Sequence, residues 1–252
     1  MRFRLKAFSL HLLGSACVLA LVLGALYLGW YRWPGWYLTG VLHVTAILAG
    51  VDLTLGPLFT LLIANPGKPR RELARDIAVI VALQILALGY GTATLWRGRP
   101  LYYTFSVDRL EIVQASEIPA DEIALALKQN PRFAPHWYSR PRWVWAPLPD
   151  DPAEQSRIMA GAISGEGADI IQMPRYFKDW RLGHDALRKQ LKPVDQFSIF
   201  TKAEQKVLKE RLDQHGLAPD QADTLFLTGH DRPLLAVFDR DTLHLRAILR
   251  AD

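Results

Sequence analysis

Three apolar stretches near the start of the chain decide what it can fold into. Ser9 to Tyr31 runs for 23 residues without a formal charge. At about 1.5 Å per residue it reaches about 34 Å, enough to cross a hydrocarbon layer of about 30 Å. Leu38 to Ile63 is interrupted only by Asp52, and Ile77 to Trp96 carries no charge at all. A secretory signal is the rival reading of the first run, because Arg2, Arg4 and Lys6 precede it. Signal cores are shorter, about 7 to 15 residues, and no convincing small-residue cleavage site follows. A lipoprotein signal would use Cys17, but Gly14 stands where that signal wants Leu. The expectation is an uncleaved anchor and an α-helical membrane domain of three transmembrane helices over residues 1 to 97.

Charge sets the orientation. Of the 252 residues, the first 96 carry eight basic and three acidic side chains, the whole of the formal +5, and the rest is neutral. A nucleic-acid binder gathers basic charge on a folded face. Here the excess flanks apolar runs, so the lipid bilayer is expected as a partner and nucleic acid is not. Arg2, Arg4 and Lys6 precede the first run, Lys68, Arg70, Arg71 and Arg75 follow the second, and only Arg32 lies between the first two. The positive-inside bias puts the N-terminus and the 64 to 76 loop in the cytoplasm, and three spans then put the remainder outside. Trp30, Tyr31, Trp33, Trp36 and Tyr37 crowd the first connection as an interfacial belt that anchors depth. Asn65 to Lys68 lacks the second Gly and the Ser/Thr of a phosphate loop, so it reads as a tight turn. A single Cys excludes a disulfide framework, a Cys-rich zinc site and an iron–sulfur cluster.

Asp52 is the informative residue of this half. It lies about 16 Å from the inner end of its helix, where an unpartnered carboxylate costs about 3 kcal/mol. Something must face it. Gln84 and Tyr90 on the third run and Ser15 on the first are candidates, as is a polar group on another membrane protein. Gly50, Gly56 and Pro57 around it suit close helix approach and a local break in the backbone ladder. Three roles stay open: an interhelical hydrogen bond, recognition of a partner helix, and a relay, which needs a second intramembrane acid.

After Arg99-Pro100 the pattern becomes alternating. Tyr103, Phe105 and Val107 read as a strand, and the phase shift to Leu110 and Ile112 marks a turn or bulge at Asp108-Arg109. Pro119 with Asp121 and Glu122 opens a helix stopped by Asn130-Pro131. Asp151 to Glu154 reads as a capping box with Pro in the first helical position, and Thr201 to Glu204 opens a helix with Ala203, Val207, Leu208 and Leu212 on one side. Strands follow at 224 to 228, 233 to 238 and 243 to 249, and the short links at 229 to 232 and 239 to 242 imply an antiparallel meander. The expected unit over residues 98 to 252 is a small α+β exported domain with an antiparallel sheet, large enough for its own core.

Between Pro131 and Pro149 five prolines interleave with Phe133, His136, Trp137, Tyr138, Trp143, Trp145 and three arginines. Such proline density argues against a helix or central strand. Trp, Tyr and Arg are enriched at binding hot spots, so Trp137, Tyr138, Trp143 and Trp145 are candidate contacts, with a loop wrapped over the core or resting on lipid headgroups as the alternative. Asp239-Arg240-Asp241 imitates a sugar-nucleotide transferase metal motif but sits at the end of the chain without a nucleotide-binding unit before it, and reads as a hairpin turn. Gly161 to Gly165 lacks the first Gly of a nucleophile elbow, and the histidines show no paired ligand spacing. Nothing points to catalysis, a metal or a cofactor, and the chain is expected not to be an enzyme.

Val51-Asp52-Leu53-Thr54-Leu55-Gly56-Pro57-Leu58-Phe59-Thr60, then Pro66-Gly67-Lys68, Asp76, Gln84, Ala87-Leu88, Tyr90-Gly91, Arg99-Pro100 and Asp108-Arg109, resembles the type IV pilin accessory proteins of the TfpX/TfpZ group. The match covers about the first 115 residues. It implies a pilin-specific helper in a bacterial inner membrane that assists type IV pilus assembly or shifts its balance with retraction. The implied partners are type IV pilin and inner-membrane pilus assembly proteins. Asp52, Gly56, Pro57, Lys68, Gln84 and Tyr90 are the residues carried over. A physical arrangement follows: the membrane helices, through Asp52, Gly56, Pro57, Gln84 and Tyr90, would hold the pilin helix, and the exported aromatics its head. The rivals are a membrane sensor with a ligand-binding exported domain, whose 64 to 76 loop leaves no room for an output domain, and a pilin-modifying transferase.

Overall fold

The structure, a computed structural model, describes residues 1–165, 167–193, 202–218, 221–230 and 233–250, the side chains of 202–205 excepted. The chain divides into two compact units, Met1–Arg99 and Pro100–Asp252.

In the first unit α1 (Arg2–Gly29), α2 (Gly35–Leu38), α3 (Val41–Gly50), a π-helical turn (Val51–Leu55), α4 (Gly56–Ile63) and α5 (Arg70–Arg97) follow in order. Together α3, the π turn and α4 make one span, Val41–Ile63; it, α1 and α5 are each long and apolar enough to cross a membrane. Leu10, Leu21, Ile47, Leu62, Leu83 and Leu86 point outward along the three. Helices with apolar side chains on their outer faces are solvated by lipid, not water, and this is a membrane protein. Leu19, Leu26, Tyr31, Val41, Leu48 and Leu95 form its core. Leu48 lies so close to Gly91 that a Cβ there would come within 2.6 Å of its Cδ1, so the Leu48 side chain fills the space that glycine leaves between α3 and α5.

The aromatic connection differs in part from a belt. Tyr31 turns inward, is buried, and donates its hydroxyl to Leu95 O at 2.7 Å. Trp30 packs edge to face on Trp96 at 4.8 Å, with the Arg99 guanidinium over the Trp96 ring. Tyr31 buries its ring while its hydroxyl finds a partner, which lets an aromatic help close the end of a bundle. Trp33, Trp36 and Tyr37 form a separate cluster. At the other connection Asn65 Oδ1 accepts from the Gly67 N–H at 3.1 Å and Lys68 pairs with Asp76 at 2.7 Å, which gives the expected tight turn.

The second unit begins with an antiparallel hairpin of β1 (Pro100–Ser106) and β2 (Arg109–Gln114). Its turn is at Val107-Asp108, one residue before the expected place, with Val107 at φ 50°. Then come α6 (Ala120–Gln129), β3 (Arg142–Trp145), α7 (Pro152–Ser164), β4 (Lys178–Asp179), α8 (His184–Gln190), β5 (Lys192–Pro193), α9 (Lys202–Gln214), β6 (Ala222–Thr228), β7 (Leu234–Asp239) and β8 (Leu245–Leu249). Among the described residues the strands make one sheet in the order β4-β3-β1-β2-β6-β7-β8, with β5 on β6. The α+β class is as expected and β6, β7 and β8 form the antiparallel meander. The sheet as a whole is mixed, because β3 joins β1 and β6 joins β2 in parallel.

Contrary to the expectation from proline density, β3 lies inside the sheet, between β1 and β4. The prolines at 131, 135, 141, 147 and 149 flank residues 142 to 145, so no ladder N–H is missing. Asp151 caps α7, accepting from Ala153 N at 3.0 Å. Glu154, expected to complete a capping box, instead accepts from the Tyr176 hydroxyl. One core gathers Tyr102, Val113, Phe133, Val144, Ile158 and Phe177. A second sets Leu208 and Leu212 of α9 on Leu235, Val237 and Leu249. Thr201, the side chains of Ala203 and Glu204, and Asp231-Arg232 of the expected 229 to 232 link lie outside the described residues.

Candidate functional site

The π turn begins one residue before Asp52, and such turns inside α-helices concentrate at functional sites. Its i to i+5 register would pair the Asp52 carbonyl with the N–H of residue 57, but residue 57 is proline and has none. Gln84 of α5 fills the gap: its Nε2 donates to Asp52 O at 3.1 Å and reaches Ser15 Oγ at 3.4 Å. Gln84 Oε1 lies 2.5 Å from His11 Nε2, and His11 Nδ1 lies 2.6 Å from Thr60 Oγ1. With Oε1 accepting, His11 carries its proton on Nε2, and a neutral ring then takes the Thr60 hydroxyl hydrogen at Nδ1. A chain of hydrogen bonds therefore ties α1, α4 and α5 together at membrane depth and ends on a main-chain oxygen.

Gly56 makes room for this arrangement, since a Cβ there would collide with the Gln84 amide. Glycine and the proline after it thus serve one purpose. The first admits Gln84, and the second leaves it a carbonyl to bind.

The Asp52 carboxylate stands apart from the chain. The residue is 4 % exposed, and among the described residues its Oδ1 has no hydrogen-bond partner. Both titratable side chains of the cluster, His11 and Asp52, are present, yet the connection between them passes through an amide and a backbone carbonyl, neither of which hands on a proton. Asp52 also lines a groove of about 410 Å³ between α1 and α5.

Of the candidates in this half, Asp52, Gly56, Pro57 and Gln84 come together, and Ser15 joins them. Tyr90 does not. It is 79 % exposed, and six residues beyond Gln84 it sits about 240° around the helix. Reasoning from the sequence missed His11 and gave Thr60 no role. The signal for His11 was present, because an imidazole inside an apolar run is as much in need of a partner as a carboxylate.

The four aromatics expected as contacts, Trp137, Tyr138, Trp143 and Trp145, separate into two pairs. Trp143 stacks on Tyr103 at 4.9 Å and meets Trp180 at 5.1 Å, and Trp180 stacks on Phe238. Trp145 packs against Gly183 and under Lys178. Both belong to the sheet. Trp137 and Tyr138 project from the preceding loop at 73 % and 59 % exposure, the Tyr138 ring stacked on His136 at 5.3 Å. Elsewhere Arg175 Nε faces Glu122 Oε2 at 3.3 Å; burial pushes the Glu122 carboxyl up, and the guanidinium draws it partly back. Asp239 Oδ1 accepts from Asp241 N, Thr242 N and Thr242 Oγ1, bonds that hold its carboxyl below the usual range and fix the predicted turn.

Three curated proteins of Dichelobacter nodosus are similar to the chain. "Fimbrial assembly protein, serogroup I" is 28% identical over 206 residues, which is 81% of this chain and 77% of the relative. "Fimbrial assembly protein, serogroup E1" is 27% identical over 224 residues, 87% and 84% of the two chains. "Fimbrial assembly protein, serogroups C1 and C2" is 31% identical over 124 residues, 49% of this chain and 95% of the relative. No protein-family model and no solved structure matches the chain.

Proposed function

The chain belongs to the fimbrial assembly protein family, and from that premise we propose that it is a pilin-specific accessory factor of type IV pilus biogenesis. It sits in a bacterial inner membrane with its N-terminus in the cytoplasm and its C-terminal domain in the periplasm, as the Lys and Arg distribution around the three spans favours. It binds and does not catalyse. Its partners are type IV pilin and the inner-membrane proteins of pilus assembly.

The observation that carries this reading is the Asp52 site in a chain whose relatives are named for fimbrial assembly. A carboxylate kept at membrane depth with an oxygen to spare is costly for the bundle alone and is worth keeping where a partner completes it. The membrane helices hold the membrane helix of a pilin subunit before it is assembled, and Trp137 and Tyr138 offer the periplasmic contact, with Trp143 and Trp145 anchoring the strand that follows their loop. Held at both places, the subunit is kept available for extension.

Surface pilin recovered from a strain lacking the gene tests this, in backgrounds with and without the retraction motor. Pili that disappear and return when retraction is removed mean that the protein tips the balance toward extension. Pili that stay lost place its action in assembly itself. Unchanged piliation in both backgrounds overturns the reading.

A further inference from the structure

The lining of the groove between α1 and α5 has a definite shape. On α1 it follows residues 7, 10, 11, 14, 15 and 18, and on α5 residues 77, 81, 84, 85 and 88. These are two helical stripes of three turns, each about 16 Å long. Both helices pack on α4 and touch each other little, so the stripes face across a gap instead of closing it. Ala7, Gly14 and Ser15 keep the α1 wall low, which lets another backbone approach. In the gap lies Asp52, 4 % exposed, with Oδ1 lacking a hydrogen-bond partner among the described residues. The neighbouring polar side chains His11, Thr60, Gln84 and Ser15 are already bonded to one another or to the Asp52 carbonyl.

We infer that this groove is the docking site for one apolar transmembrane helix of a partner protein, which brings a hydrogen-bond donor, a hydroxyl, amide or ammonium group, to Asp52 Oδ1. An acyl chain can fill the apolar walls but has nothing to give a carboxylate oxygen. A helix with one donor matches walls, length and acceptor together. The inference rests on the reading above only for the partner's identity, which there is pilin; the groove and its chemistry stand on their own.

The test uses the full-length protein in phosphatidylethanolamine and phosphatidylglycerol vesicles, with a photo-cross-linking residue at Leu10 or Val81 in the groove or at Tyr90 on the other face. The probes are two synthetic Leu/Ala helices of about 22 residues, one with Asn at its centre and one without. The Asn helix should be captured from Leu10 and Val81 but not from Tyr90, and about tenfold more strongly than the plain helix. Asp52→Ala should remove that preference. Equal capture of the two helices, capture at Tyr90 as strong as at Leu10, or lipid adducts alone in the groove overturns the inference. The comparison of the two probes needs no variant, so a misfolded Asp52→Ala would not rescue the idea. The same cross-linkers in piliated cells separate this inference from the reading it deepens. Capture of the Asn helix in vesicles with no pilin adduct in cells leaves the docking site standing and removes pilin as its occupant.

Discussion

The two units of this protein are built inside out relative to each other. The helical unit exposes Leu10, Leu21, Ile47 and Leu86 and buries Asp52 and Thr60. The C-terminal domain buries Tyr102, Phe105, Leu212 and Phe238 and leaves Arg132, Arg157 and Lys206 outside. The physics is the same, with a different solvent. Water drives apolar side chains together and holds the domain by area removed from it. Lipid is as apolar as leucine, so the bundle depends on close packing and on polar groups that find each other. In one unit a hydrogen-bond network is the adhesive, and in the other an aromatic core is.

Truncation should therefore hurt the two units unequally. Phe238→Ala, at a fully buried ring that stacks on Trp180, should cost the C-terminal domain about 4 kcal/mol. Leu48→Ala in the bundle should cost clearly less. Hydrogen exchange resolved to each unit of the full chain measures both, and equal losses would break the comparison.

Asp52→Leu comes next and has the opposite sign. It removes a carboxylate from membrane depth, so the bundle should gain about 2 kcal/mol against denaturing detergent, while surface pilin falls. A bundle that loses stability instead would show Asp52 to be a structural bond. Gly56→Ala sharpens the same point. It displaces the Gln84 amide from three hydrogen bonds, a loss of about 2 kcal/mol, against a helix-propensity gain of about 1 kcal/mol. A net loss of about 1 kcal/mol is expected in detergent unfolding, and a net gain would mean that the network contributes nothing.

The smallest effect concerns pH. Burial, then His244 and Arg181, holds the His184 imidazole below its usual pKa. A lowered pKa means that below about pH 6.5 the unfolded chain binds the proton more readily than the folded one. That contribution is present above about pH 6.5 and is lost as pH falls through the depressed value. His184→Gln should flatten the fall in C-terminal domain stability between about pH 7 and 5, read by tryptophan fluorescence during urea unfolding. An unaltered slope would assign the acid sensitivity elsewhere.

Much of this was legible in the sequence because it rests on periodicity and length. Three spans, the β6 to β8 meander and the cap of α7 follow from local patterns. Parallel pairing of β1 with β3 does not, since it joins residues about 40 positions apart and leaves no trace in either segment. β3 was concealed by counting prolines without asking where each one falls. In the membrane, Gly56, Pro57 and Gln84 were visible as unusual residues, but their common purpose depends on a helix register that composition does not show. That Tyr90 lies away from this cluster was legible from the helix angle alone, and His11 was open to selection by the rule that singled out Asp52.

The π turn at Val51–Leu55 also sets a rotational phase. One residue more or fewer within it would turn everything from Gly56 to Ile63 by about 100° about the helix axis, carrying Thr60 away from His11 while leaving each residue's chemistry intact. The second span is in this sense a key with a cut at its middle. Deleting Thr54 changes no side chain of the network, yet should break the bond between Thr60 and His11 as surely as substituting either partner.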